Sequence, residues 1–251
     1  MQLSVIEALL NSLPEQAGSW AVRDVRIGLF QTIVVVDTPR GVRGGLASTL
    51  AGGQHQHGEG QGVRDAGRLT DYDPLSLAAL GRSDSAMEAA VGLAAMNALI
   101  DVDEARCVEV NAADILAERG AGKRVAIVGH FPFVPQLCQK IGMLDVLELN
   151  PREGDLPADQ AARVLPEADV VAITGTTLLN HTFDALVALC SPEAYVVMLG
   201  GTTPLSPVLF DYGVDAVAGT QLVDVEAALR AVGEGASFRQ VPGRRLLTLF
   251  R

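Results

Sequence analysis

The sequence predicts a mixed α/β protein, in which an N-terminal α+β unit precedes a C-terminal unit with a Rossmann-like parallel sheet. Up to residue 108, a helical pattern, strand-like runs and further helices follow one another. From Lys123 onward, short apolar runs alternate with helical segments. Of the 251 residues, 49% are hydrophobic and 20% are charged, so the chain can bury a sizeable core. We therefore predict two domains, residues 1–108 and 109–251.

The N-terminal unit begins with a helix predicted over residues 3–13, where apolar residues recur at helical spacing and Pro14 follows. Strand-like sequence rich in Val and Ile covers residues 25–37. A turn at residues 38–41 precedes a second run at residues 45–50. This pattern is typical of a β-hairpin or a short meander.

A glycine-rich segment, residues 52–62, contains His55, Gln56, His57 and Glu59. Residues two apart on an extended segment face the same side, so the two imidazoles and the carboxylate can converge on one cation. The composition favours the other interpretation, a solvated connection.

Capping residues mark three further helices. Asp73 precedes Pro74, which suits the first helical position, and Ser85 with Glu88 has the spacing of a capping box. Asn111 begins another helix. Each of these residue types can satisfy backbone N–H groups that a helix start leaves unpaired.

The helix after Ser85 has a face of small residues, including Ala90 and Ala94, and also carries Asn97. The small-residue face can pack inside the core or against a second subunit, so a homo-oligomer stays open. Asn97 is either a core amide satisfied by a loop carbonyl or a ligand contact.

The C-terminal unit contains five apolar runs with the length of buried parallel strands, about 4 to 8 residues. They are RVAIVGH, DVLELN, DVVAITGTT, YVVMLGGTT and VDAVAGTQ. Segments 134–141, 178–189 and 223–232 are predicted to be helical, and residues 244–251 are predicted to form a late strand. This alternation indicates βαβ units.

Four of these strands end in glycine followed by a small polar residue or histidine. In an open parallel sheet these ends lie at one edge, where ligands bind. Glycine allows a ligand close to the backbone, and the helix starts beyond favour carboxylate or phosphate, so we predict an anionic or polyoxygenated ligand. The alternative is that the glycines only form tight turns. The positions are Gly129 with His130, Gly175 with Thr176 and Thr177, Gly200 and Gly201 with Thr202 and Thr203, and Gly219 with Thr220.

Two histidines lie at these strand ends. His130 is followed by Phe131 and Pro132 in a stiff, partly apolar segment. His181 is predicted in the first turn of a helix that opens at Thr177, where the helix dipole would keep the imidazole neutral. Because neutral imidazole is the form that binds metals, we predict a transition metal ion as a candidate bound group, with both histidines as ligands. A structural histidine at a helix start is the alternative for His181.

Several function classes are disfavoured. The first strand after Lys123 is not followed by a GxGxxG run, so NAD is not expected, and the sequence has no P-loop, HExxH or GxSxG motif. The net charge of −11 argues against nucleic acid and against anionic membrane surfaces. The apolar stretch 86–100 is too short to span a bilayer. The N-terminus lacks a basic signal-peptide region and the three cysteines are widely spaced, so we expect a cytoplasmic protein with reduced thiols.

Four segments of the chain carry a resemblance to a known family: GHFPFVP, ITGTTLLNHT, LGGTTPLSPVLFDYGVD and SAMEAAVGLAAMNAL. With these segments, and over nearly its whole length, the chain resembles the heavy-metal chelation family of bacterial and archaeal proteins. The resemblance implies an N-terminal domain like that of enolase, a Rossmann-like C-terminal domain and a site between them. The residues implied at that site are His130, Phe131, Pro132, Thr176, Thr177, Asn180, His181, Thr202, Thr203 and Pro204.

The sequence is compatible with two main functions. The first is binding of a transition metal or metal chelate in an interdomain cleft, with a role in heavy-metal chelation. The second is an enzyme that acts on a small anionic metabolite held at the glycine and threonine strand ends. An interaction module with a vestigial cleft is the third alternative, because the fold itself does not select a function.

Overall fold

The computed structural model describes residues 3–50 and 62–251. The predicted cation site at His55, Gln56, His57 and Glu59 lies outside the described residues. The described helices include none with the length and apolar character needed to cross a bilayer.

The N-terminal unit combines a three-stranded antiparallel sheet with helices. The predicted meander is confirmed, but the run at residues 25–37 divides into two strands at the turn that contains Leu29 and Phe30. Its sheet has the order β1-β2-β3. The elements are α1 (Val5–Asn11), β1 (Ala21–Ile27), β2 (Gln31–Thr38), β3 (Gly41–Ser48), α2 (Pro74–Ala78) and α3 (Ala86–Leu99).

Helix α3 packs directly across β2 and β3. A Cβ atom at Gly45 would lie 2.1 Å from the Ala94 carbonyl oxygen, so the strand can approach the helix this closely only with glycine. The small-residue face of α3, with Ala90 and Ala94 fully buried, therefore packs inside the chain. Asn97 is a core amide: its Nδ2 donates to the Leu46 carbonyl at 2.8 Å and to the Thr202 carbonyl at 3.1 Å.

The C-terminal unit is built on an eight-stranded sheet with the order β4-β11-β10-β9-β8-β5-β6-β7. Its strands are β4 (Cys107–Val108), β5 (Arg124–Val128), β6 (Met143–Glu148), β7 (Leu156–Pro157), β8 (Val170–Thr174), β9 (Tyr195–Leu199), β10 (Ala216–Leu222) and β11 (Arg244–Phe250). Its helices are α4 (Ala112–Arg119), α5 (Val134–Leu137), α6 (Ala161–Val164), α7 (Phe183–Val187) and α8 (Val225–Gly233).

Six neighbouring strands of this sheet are parallel, in the spatial order β7-β6-β5-β8-β9-β10. When these six strands are numbered along the chain from β5, their order is 3-2-1-4-5-6, as in a doubly wound sheet. The strand order reverses between β5 and β8, where a crevice forms outside the carboxyl ends. The C-terminal strand β11 pairs antiparallel with β10, so the late strand joins this sheet.

Three local predictions are wrong. Ser85 and Glu88 do not form a capping box: the Ser85 side chain makes no capping hydrogen bond, and the Glu88 carboxylate is bonded to Arg64 and Ser83. His181 does not lie in the first turn of a helix: it has a φ of 55° and follows a single 3-10 turn. The Thr177 hydroxyl donates to the Thr174 carbonyl and so does not cap a helix. The helices predicted at residues 134–141 and 178–189 are also much shorter than expected.

Helix α1 is held by residues from the other end of the chain. The Val5 N–H donates to Asp184 Oδ1 at 3.1 Å, and the Tyr212 hydroxyl donates to the Leu3 carbonyl at 2.7 Å. Val5 and Phe183 also belong to one continuous apolar core. The N-terminal helix therefore completes its packing only against the C-terminal unit.

Candidate functional site

A cleft of about 510 Å³ lies at the carboxyl edge of the large sheet. It is enclosed by the end of β3, the start of α4, the loop after β5, the ends of β8 and β9, and strands β10 and β11 with the segment before β11. The lining residues are Ser48, Val110, Asn111, Ala112, Phe131, Pro132, Phe133, Thr174, Gly175, Thr176, Leu199, Gly200, Gly201, Thr202, Ala218, Gly219, Thr220, Ser237, Phe238, Arg239, Arg244, Leu246, Leu247 and Thr248. Both units of the chain therefore contribute to the cleft.

The floor of the cleft is formed by turns that pack tightly on one another. A Cβ atom at Gly175 would lie 2.6 Å from both the backbone nitrogen and the hydroxyl of Thr203. Gly175 is therefore required for packing between the ends of β8 and β9. This supports the tight-turn interpretation for that glycine, while its neighbour Thr176 lines the cleft.

The hydroxyl of Thr202 connects the two units beside the cleft. It accepts the Ser48 N–H at 2.9 Å and donates to the Ser48 hydroxyl at 3.1 Å. Together with the Asn97 amide, which donates to the Thr202 carbonyl, these bonds fix the turn after β9 against β3. Thr202 is thus largely occupied by structural hydrogen bonds.

The charged side chains of the cleft are both basic. Among its described lining residues, Arg239 and Arg244 are the only ones with a formal charge. Arg244 Nη1 donates to the Val241 carbonyl at 2.6 Å, and its guanidinium lies 5.3 Å from the centre of the Phe238 ring. Arg239 is exposed and has no side-chain partner within the described chain. Arg239 and Arg244 therefore give the cleft a local positive charge, although the net charge of the protein is −11.

The rest of the cleft is mainly apolar. The rings of Phe131 and Phe133 stack with their centres 5.2 Å apart and an angle of 15° between their planes. Both rings are half-buried, whereas Pro132 between them is exposed. Phe238 lies at the other side, against the turn at Gly201.

The cleft contains about half of the sequence-predicted site residues. Those that line it are Phe131, Pro132, Gly175, Thr176, Gly200 and Thr202. Those outside its lining are Gly129, His130, Thr177, Asn180, His181, Thr203 and Pro204. Several of the latter have structural contacts; for example, Asn180 Oδ1 accepts the Thr182 hydroxyl at 2.7 Å.

His130 is oriented by a buried carboxylate. Its Nδ1 lies 3.0 Å from both oxygens of Asp155, whose side chain is only 4% exposed. The Arg152 N–H also donates to Asp155, at 3.1 Å. Because an ionised carboxylate only accepts hydrogen bonds, a neutral His130 in this contact carries its proton on Nδ1 and presents the lone pair of Nε2. This arrangement is typical of histidines that bind metals or transfer protons.

His181 lies in a different environment. It lines a separate cavity of about 380 Å³ beside α1, together with Glu7, Arg82 and Asp184. Its Nε2 lies 3.0 Å from the Ser83 carbonyl. The two predicted metal ligands thus have different partners, and within residues 3–50 and 62–251 no three His, Cys, Asp or Glu side chains form a group that could hold a metal.

A further cavity of about 670 Å³, the Glu88 cavity, is lined by Arg64, Arg82, Ser83 and Glu88 among others. Glu88, 7% exposed, accepts hydrogen bonds from Arg64 Nη2 at 2.8 Å and from the Ser83 hydroxyl at 2.6 Å. The Arg64 guanidinium, more than the Ser83 hydroxyl, lowers the pKa of Glu88 to about 2. The charges of Arg64 and Glu88 in this cavity therefore neutralise each other.

Sequence reasoning did not identify Arg239, Arg244, Phe238 or Asp155. A signal for the arginines was present, because Arg239, Arg244 and Arg245 cluster near the end of an acidic chain. Asp155 lies 25 residues from His130, in a loop whose path the sequence does not indicate.

Comparisons with known proteins agree with this architecture. Family models with the description "Putative heavy-metal chelation" match residues 111–250 and 10–100. "Uncharacterized protein MJ0500" of Methanocaldococcus jannaschii is 28% identical over 230 residues, covering 89% of this chain and 87% of that protein.

Two crystal structures of DUF364 family proteins of unknown function have the same fold. The protein from Desulfitobacterium hafniense DCB-2 is 25% identical with a TM-score of 0.83, over 98% of each chain. The protein from Pyrococcus horikoshii is 22% identical with a TM-score of 0.82, over 98% of this chain and 100% of that one. With a family model that covers more than half of its residues, the chain belongs to the DUF364 family, described by the words "Putative heavy-metal chelation".

Proposed function

We propose that the protein binds an anionic small molecule in the cleft and that a metal reaches this site as an anionic chelate. The observation that carries the proposal is the charge of the lining. Arg239 and Arg244 face a mainly apolar cleft to which the described chain contributes no acidic side chain. In a protein of net charge −11, this local positive charge favours an anion.

The same lining disfavours a bare metal cation. Two guanidinium groups repel a cation, and transition metals prefer imidazole, thiolate or carboxylate ligands. The cleft instead offers hydroxyls, one Asn side chain and backbone groups from its described residues. A chelator that already fills most of the coordination shell removes the need for protein ligands. The heavy-metal description of the family is compatible with a metal bound in this form.

Calorimetric titrations with Ni(II) chloride, with citrate and with the Ni(II)–citrate complex test this proposal. We expect the complex to bind at least about tenfold more tightly than Ni(II) alone. Arg239→Gln should weaken its binding about tenfold, since a hydrogen bond to a charged group contributes about 1.5 kcal/mol. Arg163→Gln is the matched control, because Arg163 is exposed and bonds only to Gln160. The proposal would be overturned if Ni(II) alone bound as tightly as the complex, or if Arg239→Gln bound the complex as tightly as the wild type does.

The titrations also separate two competing functions. If citrate alone binds as tightly as the complex, the metal is dispensable, and the result favours an enzyme for a small anionic metabolite. Direct coordination by His130 and His181 predicts that Ni(II) alone binds and that His130→Ala or His181→Ala abolishes binding. The Asp155–His130 contact is the observation that favours this last arrangement.

A further inference from the structure

We infer that the natural ligand of the cleft is an elongated amphipathic anion, with a flat aromatic body at Phe131 and Phe133 and an acidic group at Arg239 and Arg244. The inference rests on the proposed function, because it concerns the same cleft. It adds which chemical groups the ligand carries at its two ends and the orientation in which the ligand binds.

At the basic end of the cleft, the Arg244 side chain is held in a fixed position that suits an acidic group. Arg244 is fixed from two sides, by its hydrogen bond to the Val241 carbonyl and by the Phe238 ring beneath its guanidinium. Phe238 is in turn held against the turn at Gly201, where an added Cβ atom would lie 2.6 Å from the ring. An arginine held in this way loses little side-chain entropy when it pairs with a carboxylate or phosphate. Arg239 adds a second guanidinium, which has no side-chain partner among the described residues.

The other end presents flat apolar surface. The stacked rings of Phe131 and Phe133 lie on the loop after β5, and the intervening Pro132 limits the freedom of that loop. Two polar residues of the lining, Thr174 and Thr176, hydrogen-bond to each other at 3.1 Å. Stacked rings favour a further aromatic ring over an aliphatic chain.

The two ends belong to different elements of the sheet. Phe131 and Phe133 follow β5, whereas Arg244 begins β11, and strands β8, β9 and β10 lie between β5 and β11. Between them the cleft is lined by glycine turns, which leave room for a narrow ligand. An inorganic anion or a small aromatic molecule would fill only one end. A ligand that uses the whole cleft needs both groups.

Two small probes, inorganic phosphate and indole, test this inference by NMR titration of the full chain. We expect both probes to bind. In saturating phosphate, the dissociation constant of indole should stay within twofold of its value without phosphate. Phe133→Leu should weaken indole binding at least threefold and leave phosphate binding unchanged. Arg239→Gln should weaken phosphate binding at least threefold and leave indole binding unchanged. Phe250→Leu, a change on β11 outside the cleft, is the control and should affect neither. Unchanged thermal unfolding confirms that each variant is folded.

The possible failures have different meanings. If phosphate and indole compete, or if indole binding does not depend on Phe133, the inference of two separate ends is wrong, while anion binding stands. If phosphate binding does not depend on Arg239, the proposed function fails and the inference fails with it.

Discussion

The Glu88 cavity and the cleft use arginine in opposite ways. In the Glu88 cavity, Arg64 is bonded to Glu88 and Arg82 to Glu7, at 2.6 Å through its Nε. In the cleft, Arg239 has no carboxylate partner in the described chain. The two cavities are of comparable size, at about 670 Å³ and about 510 Å³. The two cavities therefore differ in the basic charge that they make available: among the described residues, both arginines of the Glu88 cavity are paired with carboxylates, whereas Arg239 in the cleft is not.

If this comparison is right, removing the Glu88 charge has the largest effect on stability. We expect Glu88→Gln to lower the free energy of unfolding by about 2 kcal/mol, because it weakens a buried carboxylate's bonds to Arg64 and Ser83. Urea denaturation measures this change. Glu193→Gln, at an exposed position, should change the free energy of unfolding by less than about 0.5 kcal/mol. Binding of Ni(II)–citrate should be the same in both variants.

The same contribution should disappear in acid. The pKa of Glu88 is lowered from 4.5 to about 2, so its stabilisation is complete above about pH 4.5 and is lost as the pH falls toward 2. Urea denaturation of the wild type and of Glu88→Gln, repeated between pH 6 and pH 2.5, isolates this effect because all other carboxyl groups are common to both. The difference in unfolding free energy should shrink with falling pH. A constant difference would show that the Glu88 charge is not responsible.

A smaller loss is expected where the two units meet beside the cleft. Asn97→Ala removes hydrogen bonds to the Leu46 and Thr202 carbonyls and should lower the free energy of unfolding by about 1–2 kcal/mol. The Ser48 amide, which donates to Thr202, should exchange its proton faster with solvent. Hydrogen exchange measured by NMR detects this change. Asn150→Ala, at an exposed position, serves as the control, and equal exchange in both variants would contradict the expected link.

The smallest effect on stability is expected in the cleft itself. Arg239→Gln should change the free energy of unfolding by less than about 0.5 kcal/mol, since Arg239 has no side-chain partner among residues 3–50 and 62–251. Its effect should instead be on binding, and the affinity of the wild type for phosphate should fall as salt is raised. A loss of stability above 1 kcal/mol would show that Arg239 is a structural residue like Arg64.

Most of the secondary structure could be predicted from the sequence, because it depends on local patterns. The apolar runs at Arg124–Val128, Val170–Thr174 and Tyr195–Leu199 are strands, and Asn111 accepts the Ala113 N–H as a helix cap. The capping box failed because Glu88 is bonded to Arg64, 24 residues away in the sequence. Local patterns do not contain such tertiary contacts.

The candidate site was predictable only in part for the same reason. The glycine and threonine strand ends, such as Gly175–Thr176, indicated the edge of the sheet at which the cleft lies. Arg239 and Arg244 reach that edge only because β11 pairs antiparallel with β10, an arrangement that the predicted late strand left open. His130 was singled out correctly as a strand-end residue, but its partner Asp155 depends on the path of the loop before β7. The domain boundary at residue 108 remains a prediction.

The anchoring of α1 by Asp184 affects how the chain acquires its structure during synthesis. Val5 and Asp184 are 179 residues apart, an interval that a ribosome translates in roughly 10–35 s at about 5–20 residues per second. Over this period the apolar side of α1, with Ile6 and Leu9, has not yet met its final partners. The apolar side of α1 is therefore accessible to chaperones and to aggregation until Asp184 and Tyr212 have left the ribosome.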